Sequence, residues 1–238
     1  MGGSLVFVTG GSSGLGLALA RSVPFPARVI DVSRRGAPGF EHVPADLATS
    51  EGWDVASALF ERELEGFRGE RAVLVHNAGV LTPIGFAGEV DPGAYRRNVL
   101  LNSAAPQVLG DAFLRALARS EAAGVVLMIS SGAASSVYEG WSSYCAGKAA
   151  LDQWVRAAGA EQERRGGRCR VLAIAPGVVA TAMQEEIRAT PERDFPQLER
   201  FVELHEEGVL RPAEDVAREL WALLDEPLEN GAVLDVRR

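Results

Sequence analysis

The stretch LVFVTGGSSGLG, Leu5 to Gly16, joins a short apolar run to a glycine-rich turn, and a helical pattern from Leu15 to Val23 follows it. Glycines there permit a tight bend and the close approach of a phosphate to the free N–H groups of a helix N-terminus. The stretch predicts a strand, a nucleotide-binding turn and a helix, with a tight connection that binds nothing as the alternative. The candidate contacts are Gly10, Ser12, Ser13, Gly14, Leu15 and Gly16.

Apolar runs and helical patterns alternate along the rest of the chain. The runs are Leu5 to Thr9, Ala27 to Val32, Ala72 to Asn77, Gly124 to Ser130, Arg170 to Pro176 and Gly231 to Val236. Helical spacing covers Leu15 to Val23, Glu51 to Phe67, Asp91 to Ser120, Tyr144 to Arg165 and Pro212 to Leu224. Runs of this kind are typical of strands buried on both faces. We therefore predict an α/β fold, a Rossmann-like doubly wound parallel sheet with helices on both faces, in a single domain of residues 1–238.

One segment departs from this alternation. From Thr181 to Arg211 the chain has two prolines, many charges and only weak helical spacing. We expect this irregular part to form a substrate lid over one end of the sheet.

Composition narrows the class of function. The 238 residues carry a formal net charge of -8, which provides no basic field for nucleic acid or anionic lipid. Two cysteines are too few for a disulfide framework, and no apolar segment is long enough to cross a bilayer. These totals predict a cytoplasmic protein with a small-molecule partner, no membrane or nucleic-acid partner and no metal site.

Tyr144 and Lys148 are four positions apart in SSYCAGKAAL, Ser142 to Leu151. Residues with this spacing share a helix face, so a cation would lie near a phenol and favour its ionised form. The pattern also occurs by chance as a surface pair. Ser131 follows the fourth apolar run, at the strand edge where parallel sheets bind ligands, and its hydroxyl could orient a carbonyl oxygen.

The end of the second run, VIDVSRRG, bears on the choice of cofactor. An acidic residue there would bind a ribose hydroxyl, and a basic residue would bind the extra phosphate of NADP. Asp31 lies inside the predicted strand, while Ser33, Arg34 and Arg35 lie in the loop at its tip. Because guanidinium groups pair well with phosphate, we predict NADP(H); a solvated loop is the alternative for the arginines.

Together these motifs resemble the short-chain dehydrogenase/reductase family over nearly the whole chain. The turn from Thr9 to Gly16 has the T-G-x-x-x-G-x-G spacing of that family. Further matches are Asp46 and Leu47, the Asn77, Ala78 and Gly79 run, Asn102, and the PGVVAT loop with Pro176, Gly177, Val179 and Thr181. Asn102 is preferred over Asn98 because it lies seven residues after Tyr95, the family's usual spacing.

The resemblance implies roles for these residues. Tyr144 would be the general acid, Ser131 would hold the substrate carbonyl, and Lys148 would bind the nicotinamide ribose and lower the pKa of the phenol. Asn102 would hold a water that connects Lys148 to solvent. Asp46 and Leu47 would contact adenine, and the PGVVAT loop would hold the nicotinamide carboxamide.

Finer features are similar to the branch of sepiapterin and benzil reductases, NADPH-dependent reducers of dicarbonyl compounds. Ala133, Tyr138, Trp141 and Met183 are candidates for the substrate wall, with packing as the alternative. We expect an NADPH-dependent carbonyl reductase that acts on ketones or diketones. The alternatives are an NAD-dependent alcohol dehydrogenase and a non-catalytic NADP-sensing regulator. Family members are usually dimers or tetramers, so we expect a homo-oligomer.

Overall fold

A computed structural model describes residues 3–237, which form one parallel sheet of seven strands. The strands are β1 (Ser4–Thr9), β2 (Ala27–Ser33), β3 (Glu41–Pro44), β4 (Arg71–His76), β5 (Ala123–Ile129), β6 (Cys169–Ala175) and β7 (Val233–Asp235). Their spatial order is β3-β2-β1-β4-β5-β6-β7, and every pair is parallel. The predicted fold class is confirmed. The sequence missed β3 because the residues EHVP contain no apolar run.

Eight α-helices connect the strands within the described residues. They are α1 (Gly14–Arg21), α2 (Ser50–Leu64), α3 (Pro92–Val99), α4 (Ala105–Leu117), α5 (Ser142–Arg164), α6 (Ala182–Arg188), α7 (Leu198–Glu206) and α8 (Ala213–Leu223). The single helix expected from Asp91 to Ser120 is interrupted by a π-helical turn, Leu100–Ala104. Such turns are rare and often occur at functional sites.

The helix ends follow the sequence signals. The Asp91 carboxylate accepts a 2.7 Å hydrogen bond from the backbone N–H of Ala94, with Pro92 in the first helical position of α3. Just after the C-terminal end of α5, Gly166 adopts φ +62°, a conformation that glycine tolerates and most residues avoid. The sequence signals therefore predicted where α3 begins and where α5 ends.

Alternate residues of β1 pack on opposite faces of the sheet. Leu5 and Phe7 join the core under α2, α4 and α5, where the Phe7 and Phe60 rings meet edge to face at 4.9 Å. Val6 and Val8 join the core under α1 and α8. Because both faces are covered, the strand is apolar throughout, as a buried parallel strand must be.

The sheet topology brings several loops to one edge. Strand β1 lies between β2 and β4, so the connections after β1 and β4 depart from neighbouring strands at the point where the strand order reverses. The loops after β5 and β6 reach the same edge because all strands are parallel. Ligands of open α/β sheets bind at such a point.

The segment 181–211, expected to be irregular, is partly helical. It contains α6 and α7, which pack with Phe195 and Trp141 in a third apolar cluster. The Trp141 and Phe195 rings stack at 4.5 Å and are nearly parallel. The sequence did not predict these helices because they are short and because their apolar faces contact loop residues rather than the main core.

Candidate active site

The glycine turn after β1 is shaped by close backbone contacts. Gly10 and Gly14 have φ values of 66° and 52°, in the left-handed region. A β-carbon on Gly16 would lie 2.2 Å from the carbonyl oxygen of Gly10. Gly10, Ser12, Ser13, Gly14 and Leu15 line the cleft described below, but Gly16 does not. This glycine lets α1 pack against the turn, and its contact with the cofactor stays a prediction.

The first turn of α1 has donors available for an anion. Ser13, the N-cap residue, makes no capping hydrogen bond with its side chain, so the N–H groups of this turn are not capped from within the helix. These free N–H groups and the positive end of the helix dipole favour the binding of a phosphate at the N-terminus of α1. The turn thus fits the pyrophosphate of a dinucleotide.

Thr9 connects β1 to the loop after β4. Its hydroxyl oxygen accepts hydrogen bonds from the backbone N–H groups of Asn77 and Ala78, both 3.0 Å long. The Asn77 side-chain amide donates to the carbonyl oxygens of Thr9 and Gly10, at 3.3 and 3.2 Å. Asn77 therefore fixes the glycine turn, and Asn77, Ala78 and Gly79 all line the cleft.

Asp31 is fully buried and faces the glycine turn. Its carboxylate accepts from the backbone N–H of Gly11 at 2.9 Å and from the Ser33 hydroxyl at 2.8 Å. Arg34 and Arg35 are exposed, and together with Ser33 they line the cleft. The acidic residue is thus occupied inside the protein, while two guanidinium groups face the ligand space.

Ser131 and Tyr144 meet at the carboxyl end of β5. The Ser131 hydroxyl accepts a hydrogen bond from the backbone N–H of Ala133 at 3.2 Å and is hydrogen-bonded to the Tyr144 hydroxyl. Burial raises the pKa of Tyr144, and the hydrogen bond to Ser131 opposes this. Desolvation of the phenolate is the largest cause of this shift, and a lowering of the pKa of Tyr144 by Lys148 stays a prediction.

Lys148 is buried on the same face of α5. Its ammonium nitrogen lies 5.8 Å from the centre of the Tyr144 ring and donates a 2.8 Å hydrogen bond to the carbonyl oxygen of Ile129. Burial lowers the pKa of Lys148 to about 8, and the nearby Asp152 carboxylate opposes the shift. Asp152 in turn accepts a 2.5 Å hydrogen bond from the Ser130 hydroxyl.

Asn102 lies in the π-helical turn, behind the cleft wall rather than in it. Its side chain accepts from the backbone N–H of Val80 at 3.1 Å, donates to the Val80 carbonyl at 2.7 Å and donates to Asn98 at 2.9 Å. Asn98 donates to the carbonyls of Val80, Leu81 and Thr82. The two asparagines together hold the loop after Gly79, so the Asn102 side chain is committed to protein contacts.

A cleft of about 640 Å³ runs along this edge of the sheet, within the usual size range of ligand sites. It brings together, besides the glycine turn and β2 loop residues, Asp46, Leu47, Ser131, Tyr144, Lys148, Pro176, Gly177, Val179 and Thr181. The predicted substrate residues Ala133, Tyr138, Trp141 and Met183 also line it. Trp141 is only 4% exposed, so most of its ring packs within the protein.

Several lining residues were not predicted. They include Leu81, Gly132, Gln184, Glu186, Phe201 and Arg237. Gln184, Glu186 and Phe201 belong to the segment whose conformation the sequence left open. Nothing in the pattern indicated that Arg237, near the end of the chain, would return to the cleft. Among residues 3–237 no cluster of His, Cys, Asp or Glu could hold a metal ion.

A parallel sheet with a glycine turn where its strand order reverses, and a tyrosine and a lysine at the same edge, defines a dinucleotide-binding oxidoreductase. The comparisons with known proteins agree. A family model for short chain dehydrogenase matches residues 4–192. The chain therefore belongs to the short-chain dehydrogenase/reductase family, whose members are oxidoreductases that use nicotinamide cofactors.

Individual relatives match over nearly full length. The chain is 35% identical over 241 residues to a benzil reductase ((S)-benzoin forming) of Bacillus subtilis, with 98% of each chain covered. It is 30% identical to a sepiapterin reductase of Rattus norvegicus, covering 99% of this chain and 97% of the relative. A crystal structure of a short chain dehydrogenase/reductase from Saccharomyces cerevisiae superposes with a TM-score of 0.82 at 27% identity, covering 98% and 96% of the two chains.

Within the described residues, no helix is both long enough and apolar enough to span a membrane.

Proposed function

We propose that this protein is an NADPH-dependent carbonyl reductase that converts a ketone or diketone into a hydroxy compound. The observation that carries the proposal is the hydrogen-bonded pair of Ser131 and Tyr144 hydroxyls in the wall of the cleft that also contains the glycine turn. A proton donor beside a site for a reducing cofactor is what carbonyl reduction requires. The relatives named benzil reductase and sepiapterin reductase support this reaction class.

Each group has a defined task in this proposal. NADPH, when bound, supplies the hydride that reduces the carbonyl carbon. Ser131 donates a hydrogen bond to the carbonyl oxygen, and Tyr144 delivers its proton to that oxygen as negative charge develops there. Because burial raises the pKa of Tyr144, the phenol stays protonated and ready to donate at neutral pH.

Lys148 acts on the cofactor side of the same wall. Its position between Tyr144 and the carbonyl of Ile129 suits it to bind the nicotinamide ribose and to replace the proton that Tyr144 gives up. The Asn102 side chain fixes the loop at Val80, so the connection to solvent that we assign to this residue would use its backbone.

Arg34 and Arg35 support NADPH over NADH. Both are exposed beside the cleft, at the tip of β2, where the phosphate on the adenosine ribose of NADPH would be recognised. Asp31, which could have favoured NADH, is held by the Gly11 N–H and the Ser33 hydroxyl. A buried carboxylate with these partners is not available to a ribose.

Three further predictions accompany the proposal. The segment 181–211 forms a substrate lid, since Met183 and Phe201 line the cleft within it. The protein forms a homo-oligomer, and the exposed apolar side chains of Val99, Leu100 and Val108 are candidates for buried contacts. Light scattering after gel filtration that shows a monomer would overturn the oligomer. Residence in the cytoplasm stays a prediction.

The test is the loss of nicotinamide absorbance when the purified protein is mixed with NADPH or NADH and a panel of ketones, diketones and quinones. Tyr144→Phe should lower kcat about a hundredfold or more while NADPH binding is retained. Tyr95→Phe is the matched control, because Tyr95 also hydrogen-bonds to α5, through Ser142, but lies outside the cleft. Tight NADPH binding without turnover would favour the alternative of a non-catalytic NADP-sensing regulator. Faster turnover with NADH than with NADPH would favour the alternative of an NAD-dependent alcohol dehydrogenase.

A further inference from the structure

Two consecutive arginines lie at the centre of the loop that leaves β2. This arginine loop comprises residues 33–36, and its Arg34 and Arg35 are exposed and line the cleft. Within residues 3–237 neither guanidinium forms an ion pair with the protein. The position of the two side chains therefore depends on the backbone of the loop.

The two ends of the arginine loop are joined through Ser33. Its hydroxyl oxygen accepts a hydrogen bond from the backbone N–H of Gly36 at 3.2 Å, and the hydroxyl donates to the Asp31 carboxylate at 2.8 Å. Gly36 has a φ value of 78°, in the left-handed region that glycine adopts without strain. Because Asp31 also accepts from the backbone N–H of Gly11 at 2.9 Å, the arginine loop is fixed relative to the glycine turn.

His42 on β3 contacts both ends of the arginine loop. Its Nε2 atom donates a 2.8 Å hydrogen bond to the backbone carbonyl oxygen of Ser33, which can only accept. A β-carbon on Gly36 would lie 2.9 Å from Cγ and 2.9 Å from Nδ1 of the imidazole, so the ring packs against the Gly36 backbone. One side chain outside the cleft thus opposes any separation or rotation of the loop ends.

A fixed backbone matters for the binding of a phosphate. Exposed arginine side chains lose conformational freedom when they bind a phosphate, and a mobile backbone would add to that loss. Because the arginine loop is held at both ends, only its two arginine side chains have to become ordered. Guanidinium groups presented in this way suit paired hydrogen bonds to phosphate oxygens.

We propose that His42 is a positioning residue for recognition of the phosphate on the adenosine ribose of NADPH, and that it acts through Arg34 and Arg35. It holds the arginine loop in the conformation that presents both guanidinium groups to this phosphate. The inference rests on the proposed NADPH dependence and adds a residue outside the cleft that strengthens the preference for NADPH over NADH.

The test measures the dissociation constants of NADPH and NADH, which differ only in that phosphate, from nicotinamide fluorescence without a carbonyl substrate. His42→Leu removes the donor to Ser33. We expect it to weaken NADPH binding about fivefold and NADH binding less than about twofold, and the retained NADH binding shows that the variant is folded. His42→Gln keeps a donor and should recover part of the loss. His205→Leu, at an exposed position on α7 outside the cleft, should change neither constant.

A double-mutant cycle decides whether the histidine acts through the arginines. In a protein that carries both Arg34→Gln and Arg35→Gln, His42→Leu should change NADPH binding less than about twofold, because no guanidinium remains to be positioned. The full loss in that background would overturn the proposal. Equal losses of NADPH and NADH binding in His42→Leu, or no loss of NADPH binding, would also overturn it.

The outcomes separate this role from the proposed function. If no carbonyl compound is reduced, the reductase proposal fails, while the binding constants still decide the role of His42. If the changes at Arg34 and Arg35 abolish the preference for NADPH and His42→Leu leaves it intact, only the role of His42 fails. Equal binding of NADPH and NADH by the native protein would overturn both the NADPH dependence and the role of His42.

Discussion

The ammonium nitrogen of Lys148 donates a 2.8 Å hydrogen bond to the backbone carbonyl oxygen of Ile129, two residues before Ser131. This bond ties α5, which carries Tyr144, to the end of β5, which carries Ser131. The lysine is thus part of the framework that places the two hydroxyls together. Its buried charge also makes the stability of the protein depend on pH.

That dependence gives a first prediction. Burial lowers the pKa of Lys148 to about 8 from 10.5, so at pH values between these two the unfolded chain binds a proton that the folded chain releases. The free energy of unfolding therefore gains a contribution as the pH rises through this window. Between about pH 7 and pH 9.5 the gain is about 1–2 kcal/mol relative to Lys148→Met.

Urea unfolding of both proteins at the two pH values measures this difference. Burial raises the pKa values of Cys145 and Cys169, which by the same linkage lowers stability as the pH rises. Both thiols are present in the native protein and in the variant, so their effect cancels in the comparison. If the two proteins change in parallel, Lys148 does not titrate in this window.

Asp152 gives a second prediction, about activity. Its carboxylate accepts from the Ser130 hydroxyl and faces Lys148 and Arg156 on α5, while His76 approaches Lys148 from β4. Asp152→Asn keeps an acceptor for Ser130 but removes the charge that raises the pKa of Lys148. The basic limb of kcat/KM against pH should move to lower pH, by roughly one unit or less.

Asp111→Asn, which breaks an exposed ion pair with Arg115 on α4, is the control. Superimposable profiles for Asp152→Asn and the native protein would show that the carboxylate is only structural.

The sequence predicted the parts of this site that lie beside regular elements. Tyr144 and Lys148 share a helix whose spacing is visible in the sequence, and the glycine turn directly follows an apolar strand. The family motif assigned Gly16 to the cofactor and Asn102 to a bound water, and in the structure both also contact protein, because packing and ligand contact can require the same residue type. Side-chain direction decides between the two, and no pattern along the chain encodes it.

The remainder of the cleft depends on long-range packing. Phe201 lies in a helix with a single buried residue, and Arg237 reaches the cleft from the end of the last strand. Their positions follow from how the segment 181–211 and the chain end fold over the sheet edge. Propensity and periodicity describe local conformation, so they could not place these residues.

The arginines after β2 give a third prediction. Changing Arg34 and Arg35 together to glutamine should lower kcat/KM for NADPH about tenfold to a hundredfold, because two charge-assisted contacts to a phosphate are lost. The value for NADH should change little, since that cofactor lacks the phosphate. Arg119→Gln combined with Arg164→Gln, at two exposed positions outside the cleft, controls for the loss of two positive charges. Equal losses with both cofactors would mean that the arginines do not recognise the additional phosphate.

Phe195 gives a fourth prediction, about the lid. Its ring is fully buried, stacks on Trp141 at 4.5 Å and lies 5.5 Å from Phe201. Phe195→Ala should cost about 3–5 kcal/mol of packing, concentrated in the segment 181–211. We expect faster proteolysis within this segment and a raised KM for the carbonyl substrate, with NADPH binding less affected. Phe86→Ala, at a ring that is 39% exposed, should show neither effect. Loss of NADPH binding and of substrate binding to the same extent would mean that the segment does not act as a separate lid.

His76 gives the last prediction. The Thr9 hydroxyl accepts from two backbone N–H groups, so its own proton points to Nδ1 of His76, 3.3 Å away. The Nε2 atom then carries the ring proton, buried and without a hydrogen-bond partner within residues 3–237.

Burial lowers the pKa of His76 to about 3 from 6.5, so as the pH falls below about 6.5 the unfolded chain gains a proton that the folded chain does not bind. The free energy of unfolding should therefore fall by about 1.5 kcal/mol between about pH 6.5 and pH 5 through this residue alone. His76→Asn keeps an acceptor for Thr9 and cannot titrate, so urea unfolding should show a smaller loss for it than for the native protein. His205→Asn, at an exposed position on α7, should follow the native protein. The same loss in all three proteins would mean that another group causes the acid instability.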